Sequence, residues 1–497
     1  MWLALALSAQ AHVPQTAVIE SVERRALPTR SRVPWSVQPV GEHGLVAYTE
    51  ERGVLVARRY DRELALQWSV ALPEVVADAP VRTQYRSDAA WAVFQRRALA
   101  VVTRHDLQDG TARAWVVPLD HRSRRVVDFE TSGNDAWLVV VDGGTDGDGT
   151  LRHLDLESGI AKKVALPPTS ERIELQRLTP QPERGTVDVA YRTMVDGRFT
   201  QHVAVARAGD MVDDLVLQIP ELNLLDVQRQ YLPDGNQLVV GTYADEATGT
   251  RAQGFYTARV DRKGRLLYTA THSFATFRHF FDDLPVERRR TRQKLAAERQ
   301  RRGQDLDIDV RFATHDVQFH EGRVVLSGEV YTPRVGTIPR VVVVDVDGGI
   351  QAPTLAVTDG YWFTHTVAAA FEPDGTLVWD ASLPMRNVGS SRVEPRSRVG
   401  LHGDVATLAY AAGDTLVSRV FSAGREVEER AQRPLVTYDR AAVRSRPLQI
   451  EPWFDNQWVS FGPQRLRAGG RQFVIERMRS LPATDDRPPK AVLRPIE

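Results

Sequence analysis

Two polar-aromatic segments contain the residues best suited to chemistry or ligand binding. His315 precedes Asp316, and a histidine beside a carboxylate can act as a general base. Tyr361-Trp362-Phe363-Thr364-His365 adds a second imidazole and aromatic rings that can form a shelf for a sugar or a peptide. Strand histidines more often make structural hydrogen bonds, and no third group accompanies these two. The possible ligand-binding residues are His315, Asp316, Tyr361, Trp362 and His365, with no reaction and no catalytic residue assigned.

Aspartates in a glycine-rich segment predict a possible cation site. Asp142, Asp146 and Asp148 provide the hard oxygen ligands that Ca²⁺ prefers. The spacing is not that of an EF-hand, and a plain Gly/Asp hairpin explains the segment equally well. The expectation is therefore that the protein has no cofactor, and bound Ca²⁺ is the alternative.

Motifs of known catalytic classes are missing from the chain. There is no cysteine, which excludes disulfides, thiolate zinc sites and cysteine nucleophiles. Neither Gly-x-Ser-x-Gly nor His-Glu-x-x-His occurs, and phosphate-binding glycine motifs are also missing. The 64 Lys+Arg residues balance 64 Asp+Glu, so bulk charge does not favour a nucleic-acid partner. We expect a protein that acts by binding.

An arginine-rich segment, 282–303, predicts a helical insertion. Aspartates before Pro285 indicate its start, and Gly303 indicates its end. Residues 286–303 include eight basic and two acidic side chains, a net charge of +6, with few apolar positions. Such a helix is either exposed to solvent beside the aspartates at 305, 307 and 309, or bound to an acidic partner. On a strand, these three aspartates would share one face. The predicted partner-binding residues are Arg288, Arg289, Arg292 and Arg299.

Phenylalanines precede this insertion at helical spacing. A stripe of this kind usually packs against a core, so we expect it to anchor the base of the insertion. The four residues are Phe274, Phe277, Phe280 and Phe281.

Elsewhere, apolar runs of four to eight residues separated by Gly, Asp, Asn and Pro predict many short strands. Several share one order: a strand, an acidic or glycine turn, and a second strand that ends in Leu-Pro. In two copies a tryptophan stands four residues before that leucine: Trp68 before Leu72 and Trp379 before Leu383. Four-stranded units repeated every ~40–55 residues are typical of a β-propeller.

The predicted fold class is all-β, a β-propeller of about seven blades with eight possible; a pair of β-sandwiches is the alternative. The candidate blades are 45–73, 90–128, 134–167, 176–219, 228–272, 315–384 and 403–435. The strands of 458–480 either complete an eighth blade or pair with Val33–Val40 and close the ring, which leaves no open sheet edge.

The turn-and-tryptophan tails resemble those of pyrroloquinoline-quinone-like repeat propellers, including outer-membrane assembly scaffolds built on them. A further resemblance, to uncharacterised secreted propeller proteins of bacteroidete-like bacteria, covers three stretches: Phe277-Arg278-His279-Phe280-Phe281 through Thr314-His315-Asp316, Gly360 to His365, and Gly375 to Asp380. That group has no assigned activity. The resemblance therefore implies the fold and export, and it transfers no catalytic residue.

The N-terminus predicts export. An apolar run, Met1–Leu7, precedes Ser8-Ala9-Gln10-Ala11, and small residues at 9 and 11 match a signal-cleavage site before His12. No basic residue precedes the run. The expected location is the periplasm, the cell surface or the medium. Past the first dozen residues no apolar stretch approaches the ~20 residues of a membrane helix.

The predicted organisation is a signal peptide (1–11), an N-terminal segment (12–32), a propeller (33–483) with a helical insertion (282–303) and a loop insertion (331–359), and a flexible tail (484–497). The expected function is that of an exported, non-catalytic propeller that serves as a protein-binding scaffold or accessory subunit of a bacterial cell-envelope assembly. Its expected partners are envelope proteins with an acidic surface. A propeller enzyme acting on glycans or peptides (a hydrolase or lyase) and a calcium- or glycan-binding surface domain are the alternatives.

Overall fold

The structure is a computed structural model that describes residues 19–480 except 30–35, 52–53, 74–79, 87, 143–148, 168–172, 196–197, 220–221, 245–248, 340–342, 345–349, 352–353, 414, 423, 435–441, 446–448 and 467–470. The predicted signal peptide, the predicted tail, Asp146 and Asp148 lie outside the described residues.

The described residues form eight antiparallel sheets of four or five strands, which succeed one another along the chain. Strand β1 (Ile19–Thr29) belongs to the last sheet. Blade 1 comprises β2 (Ser36–Pro39), β3 (Leu45–Glu51), β4 (Val54–Tyr60) and β5 (Leu66–Ala71). Blade 2 comprises β6 (Arg82–Arg86), β7 (Ala89–Arg96), β8 (Leu99–Asp106) and β9 (Ala112–Pro118). Blade 3 comprises β10 (Arg124–Ser132), β11 (Asp135–Asp142), β12 (Gly149–Asp155) and β13 (Ala161–Val164), and blade 4 comprises β14 (Ile173–Gln181), β15 (Thr186–Val195), β16 (Arg198–Arg207) and β17 (Asp210–Leu217).

The first strand is interrupted in three of the remaining blades. Blade 5 comprises β18 (Asn223–Leu224), β19 (Gln228–Tyr231), β20 (Gln237–Ala244), β21 (Gly254–Val260) and β22 (Leu266–Ser273). Blade 6 comprises β23 (Arg311–Thr314), β24 (Gln318–His320), β25 (Arg323–Pro339), β28 (Thr354–Phe371) and β29 (Leu377–Ser390), with the short pair β26 (Val343–Val344) and β27 (Ile350–Gln351) between β25 and β28. Blade 7 comprises β30 (Ser397–His402), β31 (Val405–Ala412), β32 (Thr415–Ser422) and β33 (Arg425–Pro434), and blade 8 comprises β34 (Ala442–Ser445), β35 (Gln449–Pro452), β36 (Gln457–Leu466), β37 (Arg471–Ser480) and β1. The all-β propeller prediction is confirmed, with eight blades rather than the preferred seven.

Blade 8 contains strands from both ends of the chain. β1 pairs with β37 from Ile19 opposite Ser480 to Thr29 opposite Arg471. The Arg24 guanidinium donates two hydrogen bonds, of 2.9 and 2.8 Å, to the buried Glu476 carboxylate. The strands near 458–480 therefore complete an eighth blade, and residues 19–29 close the ring. The alternative in which Val33–Val40 closes the ring is wrong, because Ser36–Pro39 is the first strand of blade 1.

The first strand of each blade lies nearest the propeller axis, and glutamines on these strands connect successive blades. Gln176 of blade 4 donates from Nε2 to a main-chain oxygen of blade 5 over 2.7 Å. Gln228 of blade 5 does the same to blade 6 over 2.9 Å, and Gln318 of blade 6 to blade 7 over 3.2 Å. The candidate blades that began at 45, 90, 134 and 403 started at the second strand and left out the inner strand, whereas those that began at 176, 228 and 315 included the inner strand in whole or in part.

The repeated tryptophans lie on fourth strands and contact the next blade. Trp68 on β5 and Trp379 on β29 occupy equivalent strands of different blades, and both are half-buried. The indole of Trp68 donates to the oxygen of Leu107 in blade 2 over 3.2 Å. Trp115 on β9 repeats the contact with Leu156 of blade 3 over 3.1 Å.

In blades 2 to 7 a glycine in the turn after the third strand faces the fourth strand of the preceding blade, and its φ is positive. A Cβ on these glycines would approach or overlap the side chain that faces it. The pairs are Trp68–Gly110, Trp115–Gly159, Lys162–Gly209, Leu215–Gly264, Tyr268–Gly375 and Trp379–Gly424. The tryptophan of this repeat is thus replaced in half of the pairs, which explains why the sequence showed so few copies.

The imidazole of His105 is fully buried between blades 1 and 2. Its ring stacks on Trp68 with centroids 6.2 Å apart, and neither ring nitrogen has a hydrogen-bond partner among the described residues. Burial lowers the pKa of His105 to about 4, because no nearby group stabilises the imidazolium.

We predict that Gly110→Ala lowers the free energy of unfolding by more than about 2 kcal/mol, whereas Gly185→Ala costs only about 1 kcal/mol. Both glycines have positive φ, +77° and +61°, so both variants incur backbone strain. Only at Gly110 would the new Cβ overlap a ring, at 2.8 Å from Trp68, while Gly185 faces open space. Denaturant titration of both variants measures the difference; equal losses would contradict the proposed blade contact.

We predict that His105→Leu reduces the acid sensitivity of the fold. A folded-state pKa below the unfolded value gives stability that is present above pH ~6.5 and is lost as the pH falls towards 4. The wild type should therefore lose about 2 kcal/mol more than the variant between pH 7 and pH 5. Urea titrations at the two pH values measure this, and parallel losses would contradict it.

Candidate functional site

The two insertions of the chain emerge at the same end of the propeller. Because adjacent strands are antiparallel, second-to-third-strand hairpins and connections between blades share one end, here called the insertion face. The connection from blade 5 to blade 6 contains helix α1 (Val286–Arg301), and β25 and β28 extend from blade 6 as a long hairpin. The segment 331–359, predicted as a loop insertion, is instead largely a continuation of these two strands. The opposite end is called the turn face.

The predicted aromatic anchor of the insertion is present. Phe274, Phe277, Phe280 and Phe281 are all buried and belong to one apolar cluster shared by blades 5 and 6. Phe274 stacks on Phe280 with ring centroids 4.9 Å apart. Ala296, the one buried residue of α1, packs in the same cluster. The base of the insertion is therefore part of the propeller core.

A buried ionic network connects the same base to blade 7. Asp282 accepts from Nη1 of Arg419 over 2.7 Å and from Nη1 of Arg289 over 3.0 Å. Arg419, itself buried, also forms a bidentate pair with Glu426 at 2.7 and 2.6 Å. Burial opposes ionisation of Asp282, but hydrogen bonds from His279 and Arg419 outweigh it and hold the pKa of Asp282 below its usual value.

The predicted helix forms, with a start that differs from expectation. The aspartates do not cap it: Pro285 precedes the first turn, and Asp282 and Asp283 end a 3-10 turn (Phe280–Asp283). Gly303 follows the helix with φ +70°, as predicted for its end. None of the helices in the described part of the chain has the length and apolarity needed to cross a membrane.

The four arginines of the predicted partner site are not equivalent. Arg289 points back to Asp282, whereas the side chains of Arg288, Arg292 and Arg299 are exposed and form no ion pair with a described residue. Nor do the neighbouring aspartates neutralise them. Asp305, Asp307 and Asp309 alternate with the buried Leu306 and Ile308 in an extended segment that is not a strand, and Asp309 pairs with Arg251.

The structure places His315 and Asp316 at the axis, in structural roles. His315 Nε2 lies 3.3 Å from the buried carboxylate of Glu329, which also accepts from Ser397 of blade 7 over 2.7 Å. Burial opposes ionisation of Glu329, but these partners hold its pKa below the usual value. Asp316 pairs with Arg177 of blade 4 at 2.8 Å, so this ion pair reaches past blade 5.

The second polar-aromatic segment is not brought together with the first. A bulge separates Phe363 from His365, and His365 faces the insertion while His315 contacts Glu329 on the opposite face of blade 6. His365 is buried against Phe280, which lowers its pKa to about 4. The five residues therefore do not form one site.

Tyr361 and Trp362 point to different sides of the long hairpin. Tyr361 makes an edge contact with Tyr331, with ring centroids 5.6 Å apart, at the contact with blade 7. Trp362 is 43% exposed, and the guanidinium of Arg334 lies 5.8 Å from its ring centre. Trp362 is thus an accessible aromatic residue on the insertion face.

The predicted Ca²⁺ site is described at one residue only. Asp142 ends β11 and accepts a hydrogen bond from the Ser123 hydroxyl over 2.8 Å. Within the described ranges no group of three or more His, Cys, Asp or Glu side chains is arranged to hold a metal ion.

Sequence reasoning missed a set of charges on the innermost strands. Arg86 of blade 2 pairs with Glu130 of blade 3 at 2.8 Å, and Arg398 of blade 7 forms a bidentate pair with Glu451 of blade 8 at 2.6 and 2.7 Å. No periodicity marked them, because Arg82–Arg86 is polar apart from Tyr85 and does not alternate polar and apolar residues. The axis of the propeller is therefore lined by interblade ion pairs.

We predict that Arg419→Met lowers the free energy of unfolding by about 3 kcal/mol or more, because it leaves the buried carboxylate of Asp282 without its main cation. The matched control is Arg323→Met, which removes the exposed ion pairs with Glu372 and Asp404 and should cost a small fraction of that. Chemical denaturation of both variants is the measurement. Similar losses would show that the network does not stabilise the base of the insertion.

The solved structures to which this chain is similar are only about a tenth identical to it in sequence. The chain is similar to the WD40 domain of SCAP from fission yeast (10% identity, TM-score 0.42, covering 91% of this chain and 97% of that one) and to a europium-containing methanol dehydrogenase (8%, 0.46, 92% and 93%). It is also similar to a protein of unknown function from Dyadobacter fermentans (9%, 0.34, 93% and 99%). No protein-family model and no curated protein matches the chain. Similarities this distant give no argument about activity, and the propeller assignment rests on the sheets.

Proposed function

We propose that this propeller is a protein-binding scaffold or accessory subunit whose insertion face docks an acidic partner surface. The observation that carries the proposal is the contrast between the base of helix α1 and its outer side. The base is fixed by buried phenylalanines and the Asp282–Arg419 network, while Arg288, Arg292 and Arg299 are exposed and unpaired among the described residues.

The anchoring removes the usual objection to an isolated cationic helix. A 16-residue helix with a single buried residue is only marginally stable in water by itself. The free energy gained by extending so short a helix barely exceeds the cost of forming its first turn. Here Arg289, Gln293 and Ala296 fix one side of the helix to the base. The other side presents like charges to solvent. Association with an acidic surface would neutralise these charges, and complementary charge also accelerates encounter.

The long hairpin adds apolar contact area at the same end. Trp362 and Val335, 43% and 63% exposed, lie on the extended part of β25 and β28. Aromatic residues are common anchors of protein interfaces, with charged residues at the rim. We propose that the partner contacts both α1 and this hairpin.

Binding is proposed in preference to a reaction because the two histidines singled out for chemistry lie on opposite faces of blade 6. Export to the envelope is part of the same proposal. It is supported by the apolar run and Ala9-Gln10-Ala11 at the N-terminus and by the resemblance to secreted propellers.

We predict that replacing Arg288, Arg292 and Arg299 together by glutamine lowers recovery of the partner from envelope extract roughly tenfold at low salt, because three exposed cations are lost. The matched control replaces the same three residues by lysine, which keeps the charge and should retain most of the recovery. Rising salt should reduce wild-type recovery and leave the glutamine variant little changed.

Thermal unfolding of all three proteins should agree closely, since none of these side chains has a described partner. Quantitative mass spectrometry of the captured proteins provides the measurement. Equal recovery by the wild type and the glutamine variant at every salt concentration would exclude α1 as the docking element.

A further inference from the structure

A polar cavity of about 490 Å³ opens on the turn face between blades 2 and 3. Its walls come from the turns after the first and third strands of both blades. Cavities of roughly 300–1,000 Å³ are the usual size for small-molecule sites. The side chains that carry the argument are Arg86, Arg104, Arg113, Trp91, Trp115 and Ser132.

Cations dominate the wall formed by β8 and β9. Arg104 and Arg113 stand directly opposite each other in this ladder, where like charges repel. Arg104 reaches Asp88 at 3.3 Å, but Arg113 is exposed and has no ion pair with a described residue. Asp88 and Glu157 also line the cavity, and Arg86 pairs with Glu130, so Arg113 alone of the three arginines has no carboxylate partner among the described residues. An anion between the two guanidinium groups would relieve their repulsion.

Two tryptophans form a second wall. The rings of Trp91 and Trp115 are stacked, with centroids 6.0 Å apart and an interplanar angle of 19°. Trp91 is buried and its ring faces the Arg104 guanidinium at 5.9 Å, whereas Trp115 is only half-buried. Trp115 therefore offers an apolar ring surface to a ligand beside the cations.

A buried hydroxyl in the same cavity has no partner. Ser132 is 6% exposed, and its Oγ makes no hydrogen bond with a described residue. The Nε atom of Arg86 is also buried and makes no hydrogen bond with a described residue. Leaving such groups unsatisfied costs free energy, so they are rare in folded proteins. A ligand with hydroxyl groups would supply the missing partners.

We propose that this cavity binds a small sugar that carries an anionic group. Arg113 and Arg104 hold the anion, because guanidinium groups form paired hydrogen bonds with carboxylates and phosphates. Trp115 packs against the sugar ring, and Ser132 bonds to a ring hydroxyl. The site lies at the end of the propeller opposite helix α1, so it is independent of the proposed partner surface.

The test is a titration of the full chain with D-glucuronate, D-glucose 6-phosphate and D-glucose, followed by saturation-transfer NMR and calorimetry. At least one acidic sugar should bind, and glucose should bind at least about tenfold more weakly, since it lacks the charged hydrogen-bond acceptor. The preferred acid identifies the anion as carboxylate or phosphate. No binding of either acid, or equal binding of glucose, would overturn the proposal.

Three variants locate the site. Arg113→Gln should weaken binding of the acidic sugar about tenfold, and Ser132→Ala should weaken it a few-fold. Both should unfold at the wild-type temperature, because Arg113 is exposed and the Ser132 hydroxyl is unpartnered. Arg122→Gln, an exposed arginine on the insertion face, is the matched control and should bind normally. Wild-type affinity in Arg113→Gln would show that the cavity is not the binding site.

Discussion

The whole architecture depends on the pairing of β1 with β37. A four-stranded sheet has two faces to bury, and a propeller blade buries both only when it has a neighbour on each side. Seven of the blades are continuous in sequence, but the eighth needs a strand from residues 19–29. The buried Arg24–Glu476 pair lies within this ladder. Ring closure therefore gives blades 1 and 7 their second neighbours.

The two ends of the propeller differ in how tightly their loops pack against neighbouring blades. At the turn face, short turns with left-handed glycines pack against the preceding blade, so a longer side chain or loop would disturb the ring. At the insertion face, hairpins and connections lie outside these contacts and can be lengthened without cost to the packing. The helix and the extended hairpin of blade 6 occur there. Even so, the helical insertion required new core: four phenylalanines and the Asp282–Arg419 network fix it to blades 5, 6 and 7.

The sequence predicted the features that rest on local pattern. Apolar runs such as Trp137–Val141 gave the middle strands, and the aromatic spacing and Gly303 gave the anchor and the end of the helix. The inner strands of blades 1, 2, 3 and 7 were left out of the candidate blades, because segments such as Arg82–Arg86 are short and mostly polar. Arg289 could not be distinguished from Arg288, because its partner Asp282 is fixed by Arg419, which is distant in sequence. His315 and His365 lie on opposite faces of blade 6 because their neighbours on β25, Glu329 and Val330, are consecutive and point to opposite sides of the sheet.

The closing strand also sets the order of events during synthesis. β1 is made first but has no partner until Ser480 has left the ribosome, roughly tens of seconds later at ~5–20 residues per second. Throughout that time the nascent chain is an open array of sheets with unpaired edges, which is the form that chaperones recognise. Blades 1 to 7 are therefore all synthesised before the strand that closes the ring has a partner.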